Sequence, residues 1–311
     1  MQHPLISIVI CCHNRAHMLP QTLESVFAQS YRPFEVVVLD DGSTDCTRQL
    51  MQTYGERLRY HYQPNQGVAH ARTNAARLAR GTLIAFQDDD DLMAPDRLEI
   101  LHDALASHPE CSFAVGNLEV IGQDDTLDAL LAARPDSANP PELTLFADGY
   151  EAVLWPHVPA TNHTTLFRKA DGDRINWFDP RYTIGAEDKD FFARLGKLGS
   201  VVHVAKTVSY YRRGHASLSA EQFFSYYVAL LLFQTHLLER PAPSPAIRER
   251  LRRRILFTLK AMATLRSRGV PRPARVPAHY LTDALAFLKT AEKIDYRFKA
   301  HVTAPLKALL R

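Results

Sequence analysis

Leu5 to Cys12 is an apolar run closed by a polar turn, His13-Asn14-Arg15, and followed by a helical stripe of Leu19, Leu23, Val26 and Phe27 between Met18 and Gln29. A run without alternation is the signature of a strand buried on both faces, and such strands belong to parallel sheets covered by helices. The unit recurs. Phe34 to Leu39 reads as a second strand, ending at Asp40-Asp41-Gly42-Ser43-Thr44-Asp45, where Gly serves a tight bend and Ser, Thr or Asp caps the helix that runs to Tyr54. Leu58 to Tyr62 is a short third strand, Gly67 to Ala79 a helix and Leu83 to Phe86 a fourth strand. This alternation specifies an α/β fold with a largely parallel sheet. Each polar turn follows the C-terminal end of a strand, the edge at which open α/β sheets bind ligands.

The fourth strand runs into Asp88-Asp89-Asp90-Asp91, with Pro95 beyond. Four adjacent carboxylates repel one another, and a bound cation offsets that cost. Oxygen-only ligands on a short loop suit Mg2+ or Mn2+, with substrate phosphates completing the shell. The competing reading is a solvated loop or helix start, with Asp91 and Asp96 flanking a helix that opens at Pro95.

Beyond Pro109, Cys111 to Val115 and Leu118 to Ile121 read as two strands, residues 124–141 as a polar excursion, and residues 183–198 as a helix. With 311 residues, 46% of them hydrophobic, the chain can bury a full core in one large domain with an appendage, or in two domains. The net charge of +3 hides an asymmetry: residues 220–311 hold 17 Lys+Arg against 6 Asp+Glu, and residues 1–219 hold 20 against 28. Cys11, Cys12, Cys46 and Cys111 show no metal spacing and no secretory signal precedes them, so reduced thiols and a cytoplasmic location are expected. No apolar stretch reaches the length of a membrane span.

Taken together, the motifs resemble the family 2 glycosyltransferases. The matching stretches are Ser7 to Ile10 with Asn14-Arg15, Ser25 to Ser30, Val37 to Asp45, and Asn65-Gln66-Gly67-Val68-Ala69 to Arg72. They continue with Phe86 to Asp91 and Pro95, and with Gly185-Ala186-Glu187-Asp188. The resemblance covers roughly residues 5 to 217, in the family's order and spacing. It implies a GT-A fold: a Rossmann-like, mixed, mostly parallel sheet flanked by helices, with a C-terminal helical appendage. The expected division is a catalytic domain at residues 1–219 and a basic helical region at 220–311.

The activity so implied is inverting transfer of a hexosyl or N-acetylhexosaminyl group from a nucleoside-diphosphate donor, with UDP the expected nucleotide. The acceptor is a hydroxyl of a glycan or lipid-linked molecule, and the cofactor Mn2+ or Mg2+. By the same resemblance Asp88 and Asp90 form the metal pair, with Asp90 the more direct ligand, and Asp89 faces the ribose or caps the loop. Asp188 is the general base, with Glu187 beside it; acids decorating a helix N-terminus are the alternative. Asp41 meets the nucleobase and Asp40 supports its turn. Cys11 and His13 stand where the family often has a small hydroxyl residue and an aromatic ring, and Arg15 lies in the same motif. Arg72 reaches ribose or phosphate, or is an ordinary exposed helix Arg. Tyr210 to Ser217 resembles the family's closing loop, in which His215 is a further metal ligand, or only a surface residue, and Arg212 or Arg213 neutralises the leaving phosphate. Asn162-His163-Thr164 and Trp177 are positioned for sugar contacts, with packing as the alternative.

Three other functions compete. A nucleotidyltransferase of related fold has a Gly-rich loop after its first strand, which Cys12 to Ala16 lacks; a hydride-transferring Rossmann enzyme needs GxGxxG there. A carbohydrate-binding protein without activity is opposed by the intact Asp88, Asp90 and Asp188. Arg248 to Arg254, followed by Ile255, Leu256, Phe257 and Leu259, reads as a basic amphipathic helix for an anionic membrane surface, or as one packed on the catalytic domain or a second subunit. The expected location is cytoplasmic, extending to peripheral attachment at the inner membrane face. No nucleic-acid-reading motif is present.

Overall fold

The structure is a computed structural model that describes residues 3–133, 141–154, 158–182 and 185–213, together with Ile255 and Thr258. The basic C-terminal helix and His215 therefore lie outside the described residues. Contacts divide the chain into two units; the first comprises residues 1–183 and 187–215 and holds everything that follows.

The elements of the first half are β1 (Ile6–Cys12), α1 (Leu19–Phe27), β2 (Phe34–Asp41), α2 (Thr47–Thr53), β3 (Arg59–Gln63), α3 (Val68–Leu78), β4 (Leu83–Asp88), β5 (Leu92–Met93) and α4 (Arg97–Ser107). The second half adds β6 (Cys111–Ile121), α5 (Leu127–Ala133), β7 (Leu143–Phe146), α6 (Gly149–Leu154), β8 (Thr165–Arg168), α7 (Lys169–Arg174), α8 (Glu187–Gly196) and β9 (Ser200–Arg212). One nine-stranded sheet runs β3-β2-β1-β4-β8-β6-β9-β5, with β7 also paired to β9. Strands β3, β2, β1 and β4 are parallel, while β8 enters antiparallel to both β4 and β6.

Burial explains the apolar run that opens the chain. Side chains alternate across a strand, so Ile6, Ile8 and Ile10 of β1 face one core with Leu19, Leu23 and Val26 of α1 and Leu98 and Leu101 of α4. Val9 faces the other core, with Ile84 and Phe86, the alanines of α3, and Phe191, Phe192 and Leu195 of α8. Ala69, Ala71, Ala75 and Ala76 are small enough to let α3 lie close on the sheet.

Three expectations are corrected here. Residues 111–121 form one strand rather than two; register shifts at Gly116 and Asn117 bend β6 against β9 where the apolar pattern breaks. Asp91 does not start a helix: the next two residues form β5, which pairs with Ser209 and Tyr210, and α4 begins at Arg97 with Asp96 as its cap. Tyr210, Tyr211 and Arg212 belong to β9 rather than to a loop. At Gly116 an added Cβ would stand 2.4 Å from Val208 Cγ1 and 3.1 Å from the Lys206 carbonyl oxygen. Gly116→Ala is expected to cost about 1–3 kcal/mol in a denaturant-unfolding measurement.

Candidate active site

The C-terminal ends of β1, β2 and β4 lie side by side, with Cys12 opposite Asp40 and Cys11 opposite Asp88. Two loops leaving this edge are stitched together. Asn14, in the left-handed region at φ 55°, donates its backbone N–H to Ser43 Oγ at 2.9 Å, and its Oδ1 accepts from the Thr44 N–H at 2.7 Å. The His13 ring is tied to the Asp41 carbonyl oxygen through Nδ1 at 2.9 Å.

Asp40 is held within its turn: Oδ1 accepts from the Ser43 N–H at 2.8 Å and Oδ2 from the Tyr60 hydroxyl at 2.7 Å. Asp41 shapes the following loop, its Oδ1 accepting from Gln63 Nε2 and the Gln66 N–H and its Oδ2 from the Gly67 N–H, all within 2.9 Å. Gly42, at φ 82°, is required where it stands, because a Cβ there would lie 2.6 Å from the Asn65 nitrogen. The Cys11 thiol is pushed up by burial, which leaves it a protonated wall of this edge.

The acidic loop is held by its backbone. Thr22 Oγ1 donates to the Asp89 and Asp91 carbonyls, Gln87 Nε2 to those of Asp88 and Asp91, and Arg212 Nε to that of Asp90 at 3.2 Å. The four carboxylates then have different surroundings. Asp88 Oδ1 accepts from Arg72 at 2.7 Å and Oδ2 faces His163 Nδ1 at 2.9 Å; burial opposes ionisation, but Arg72 and His163 hold its pKa well below the usual carboxylate range. Burial, with Asp90 next, raises Asp89 well above it. Asp90 Oδ2 lies 3.9 Å from Arg15. Asp91 is fully buried; its Oδ1 accepts from the Arg212 N–H at 2.9 Å, and burial pushes its pKa up to about 8.

Arg72 is no exposed helix Arg. Its guanidinium bridges Asp88 and Glu187, and the Asn162 amide oxygen, turned towards it, lies 3.1 and 3.2 Å from its two terminal nitrogens. Burial disfavours the charge, yet Asp88, then Glu187, hold the guanidinium more firmly protonated than usual. Glu187 and Asp188 open α8, where the helix N-terminus favours negative charge. Glu187 is 6% exposed and burial raises its pKa, whereas Asp188 is half-buried and accepts only from the Lys189 N–H at 2.7 Å among the hydrogen bonds described.

Two residues at the base of the loop escaped sequence reasoning in their present roles. Arg97 is fully buried and donates to Gln87 Oε1 at 2.8 Å, the Phe86 carbonyl at 2.9 Å and the Thr165 carbonyl at 3.1 Å. With no carboxylate in direct contact, burial pulls its pKa down to about 9. His163, read only as a sugar contact, is 6% exposed and stacks on Tyr211, ring centroids 5.8 Å apart. Its Nδ1 lies 3.1 Å from Asp91 Oδ2 as well as beside Asp88; burial opposes protonation, but Asp91 and Asp88 raise its pKa. No local pattern marks either residue.

Other expected residues fall elsewhere. Trp177 offers no stacking face to a sugar: it is 1% exposed, stacks on Phe191 and donates from Nε1 to Asp173 at 2.8 Å. The Arg212 guanidinium is spent on the carbonyls of Asp90, Gln123 and Asp125 and on Gln21 Oε1. Arg213 is exposed, its guanidinium 5.7 Å from the Tyr211 ring centroid.

A divalent cation fits this chemistry. Ligand atoms of Asp88, Asp91 and His163 lie within 4.8 Å of one another, and Asp91 Oδ2, His163 Nε2 and Glu187 Oε2 are buried without a hydrogen-bond partner among the described residues. Hard oxygen donors at a loop of surplus negative charge are what Mg2+ and Mn2+ select.

A Rossmann-like sheet carrying an acidic loop at its C-terminal edge, beside a helix that opens on two acids, matches the fold of the GT-A glycosyltransferases. The chain belongs to glycosyl transferase family 2, whose model matches residues 7–171, more than half its length. Over 111 residues it is 44% identical to the validoxylamine A glucosyltransferase of Streptomyces hygroscopicus subsp. jinggangensis (strain 5008), a match covering 34% of this chain and 26% of that protein. Over 211 residues it is 37% identical to the chondroitin synthase of Escherichia coli, covering 65% of this chain and 28% of that one. The chain thus spans about a quarter of the length of these relatives. The crystal structure of S. aureus TarS 1-349 in complex with UDP-GlcNAc matches with a TM-score of 0.63 and 18% identity, over 98% of this chain and 86% of that one. The fold is GT-A.

Proposed function

We propose that this chain is an inverting glycosyltransferase that moves a sugar from a UDP-linked donor to a hydroxyl of a glycan or lipid-linked acceptor by a single displacement. The observation that carries this reading is the Arg72 bridge: it ties Asp88 of the acidic loop to Glu187 at the start of α8, next to Asp188, and this supports reading the C-terminal sheet edge as the site of transfer. Asp188 takes the proton of the acceptor hydroxyl as the new bond forms. One base without a partner nucleophile gives inversion. Asp88 and Asp90 would hold the divalent ion, beside the Asp88, Asp91 and His163 cluster, and the ion would supply charge stabilisation for the departing diphosphate. Cys11, His13, Asp40 and Asp41 form the nucleoside wall; Asp41 Oδ2 accepts one described hydrogen bond, which leaves it capacity for a ring N–H. Arg15 and Asp89 face the ribose and phosphates, with Arg213 at the rim.

Residues 220–311 are assigned, as part of the same proposal, to a basic appendage that meets an anionic membrane surface, the catalytic domain or a second subunit. No helix among the described residues is long and apolar enough to cross a membrane.

The test is a calorimetric screen of UDP, GDP, dTDP and CDP with and without Mn2+, on the wild type and on Asp90→Ala. UDP is expected to bind, Mn2+ to tighten it, and Asp90→Ala to abolish the Mn2+ increment. Preference for another nucleotide would reassign the donor, and no binding at all would leave a carbohydrate-binding protein.

A further inference from the structure

We propose that Glu187 is a positioning residue for the metal: acting through Arg72, it sets how readily Asp88 receives a divalent cation. The inference rests on the metal-dependent reading above and concerns the residue beside the base rather than the base itself.

One guanidinium serves two acids. Arg72 gives one terminal nitrogen to Asp88 Oδ1 at 2.7 Å and the other to Glu187 Oε1, with side-chain exposures of only 13% for Arg72 and 8% for Glu187. Arg72 therefore gives Asp88 the neutralisation that a metal ion supplies, and a cation approaching Asp88 meets a positive charge already there. Glu187 draws part of that charge away. Its other oxygen, Oε2, is buried with no hydrogen-bond partner among the described residues, so Arg72 is its one described side-chain counter-charge, beside the N-terminus of α8. The Asn162 amide oxygen fixes the guanidinium plane from a third side, which keeps the fork aimed at both acids at once. A planar fork can bridge in this way; an ammonium, as a point charge, cannot.

Removing the Glu187 charge leaves the guanidinium wholly to Asp88 and weakens Mn2+ binding. Removing Arg72 leaves Asp88 with His163 as its remaining described partner and strengthens that binding. Once Arg72 is gone, Glu187 has nothing to act through. This last point separates positioning from a plain field effect, in which the Glu187 charge attracts Mn2+ equally in both backgrounds.

The experiment titrates Mn2+ alone into the full chain, reading free Mn2+ by its electron paramagnetic resonance signal, for the wild type, E187Q, R72Q, R72K, and the two double variants E187Q/R72Q and E187Q/R72K. Thermal melts confirm that each is folded. E187Q is expected to raise the Mn2+ Kd by about threefold or more and R72Q to lower it by about threefold or more, while E187Q added to R72Q changes it by less than about twofold. R72K keeps the charge without the fork, so E187Q is expected to lose its effect there too; this pair decides the matter if R72Q fails to fold. The same Kd shift from E187Q in all backgrounds, or none in the wild type, overturns the inference while leaving the metal-dependent reading intact. A wild type that takes up no Mn2+ overturns both.

Discussion

Asp188→Asn is expected to leave the chain folded and able to bind UDP, and to lower the rate of sugar transfer by about 10³-fold. Asparagine keeps the oxygen that accepts from the Lys189 N–H, so α8 retains its first turn, but it cannot take a proton from an acceptor hydroxyl. Transfer rates are read as UDP released from a UDP-sugar in the presence of acceptor. A rate within tenfold of wild type would place the base elsewhere. Glu187 is poorly suited to substitute, since it is nearly fully buried and engaged with Arg72.

The largest effect on stability is expected at Arg97. Arg97→Ala strips donors from the Phe86 and Thr165 carbonyls and from Gln87, and it opens a cavity in a fully buried site. Each orphaned acceptor costs on the order of 1–3 kcal/mol, so a total of about 3–5 kcal/mol is expected, with a fall in Tm of about 10 °C. Arg97→Lys retains one of these contacts at most and should recover less than half of the loss. The measurement is thermal and urea unfolding of the full chain; a Tm within about 3 °C of wild type would show the acidic loop to be supported from elsewhere.

The parallel half of the sheet was legible because its strands are buried on both faces. The apolar runs at residues 5–12, 34–39 and 83–86 mark β1, β2 and β4 directly. The pattern stops short where burial is polar: β2 continues through Asp40 and Asp41, whose carboxylates are satisfied by hydrogen bonds, so hydrophobicity ends before the strand does. The antiparallel insertions were less visible. β8 is four residues long and β7 largely exposed, and neither carries a turn signal strong enough to announce it. At the site, carboxylates that cluster in sequence stood out, whereas partners distant in sequence did not. Arg97 and His163 act on the acidic loop from 6 to 75 residues away, and an arginine near a helix start or a histidine between polar neighbours looks the same whether buried or solvated. Trp177 shows the opposite error: an aromatic ring suited to sugar was claimed by Phe191.

The carbonyls of Asp88, Asp89, Asp90 and Asp91 each take a hydrogen bond from a side chain outside the run, Thr22 on α1, Gln87 on β4 or Arg212 on β9, and the Asp91 N–H adds one to the Asp88 carbonyl. The loop's backbone is thus held from three other elements, and the carboxylates of Asp88 and Asp91 add ties of their own to Arg72, His163 and the Arg212 N–H. Losing Thr22 would therefore disturb the acidic loop without touching one carboxylate, because the Thr22 hydroxyl alone reaches two of its carbonyls.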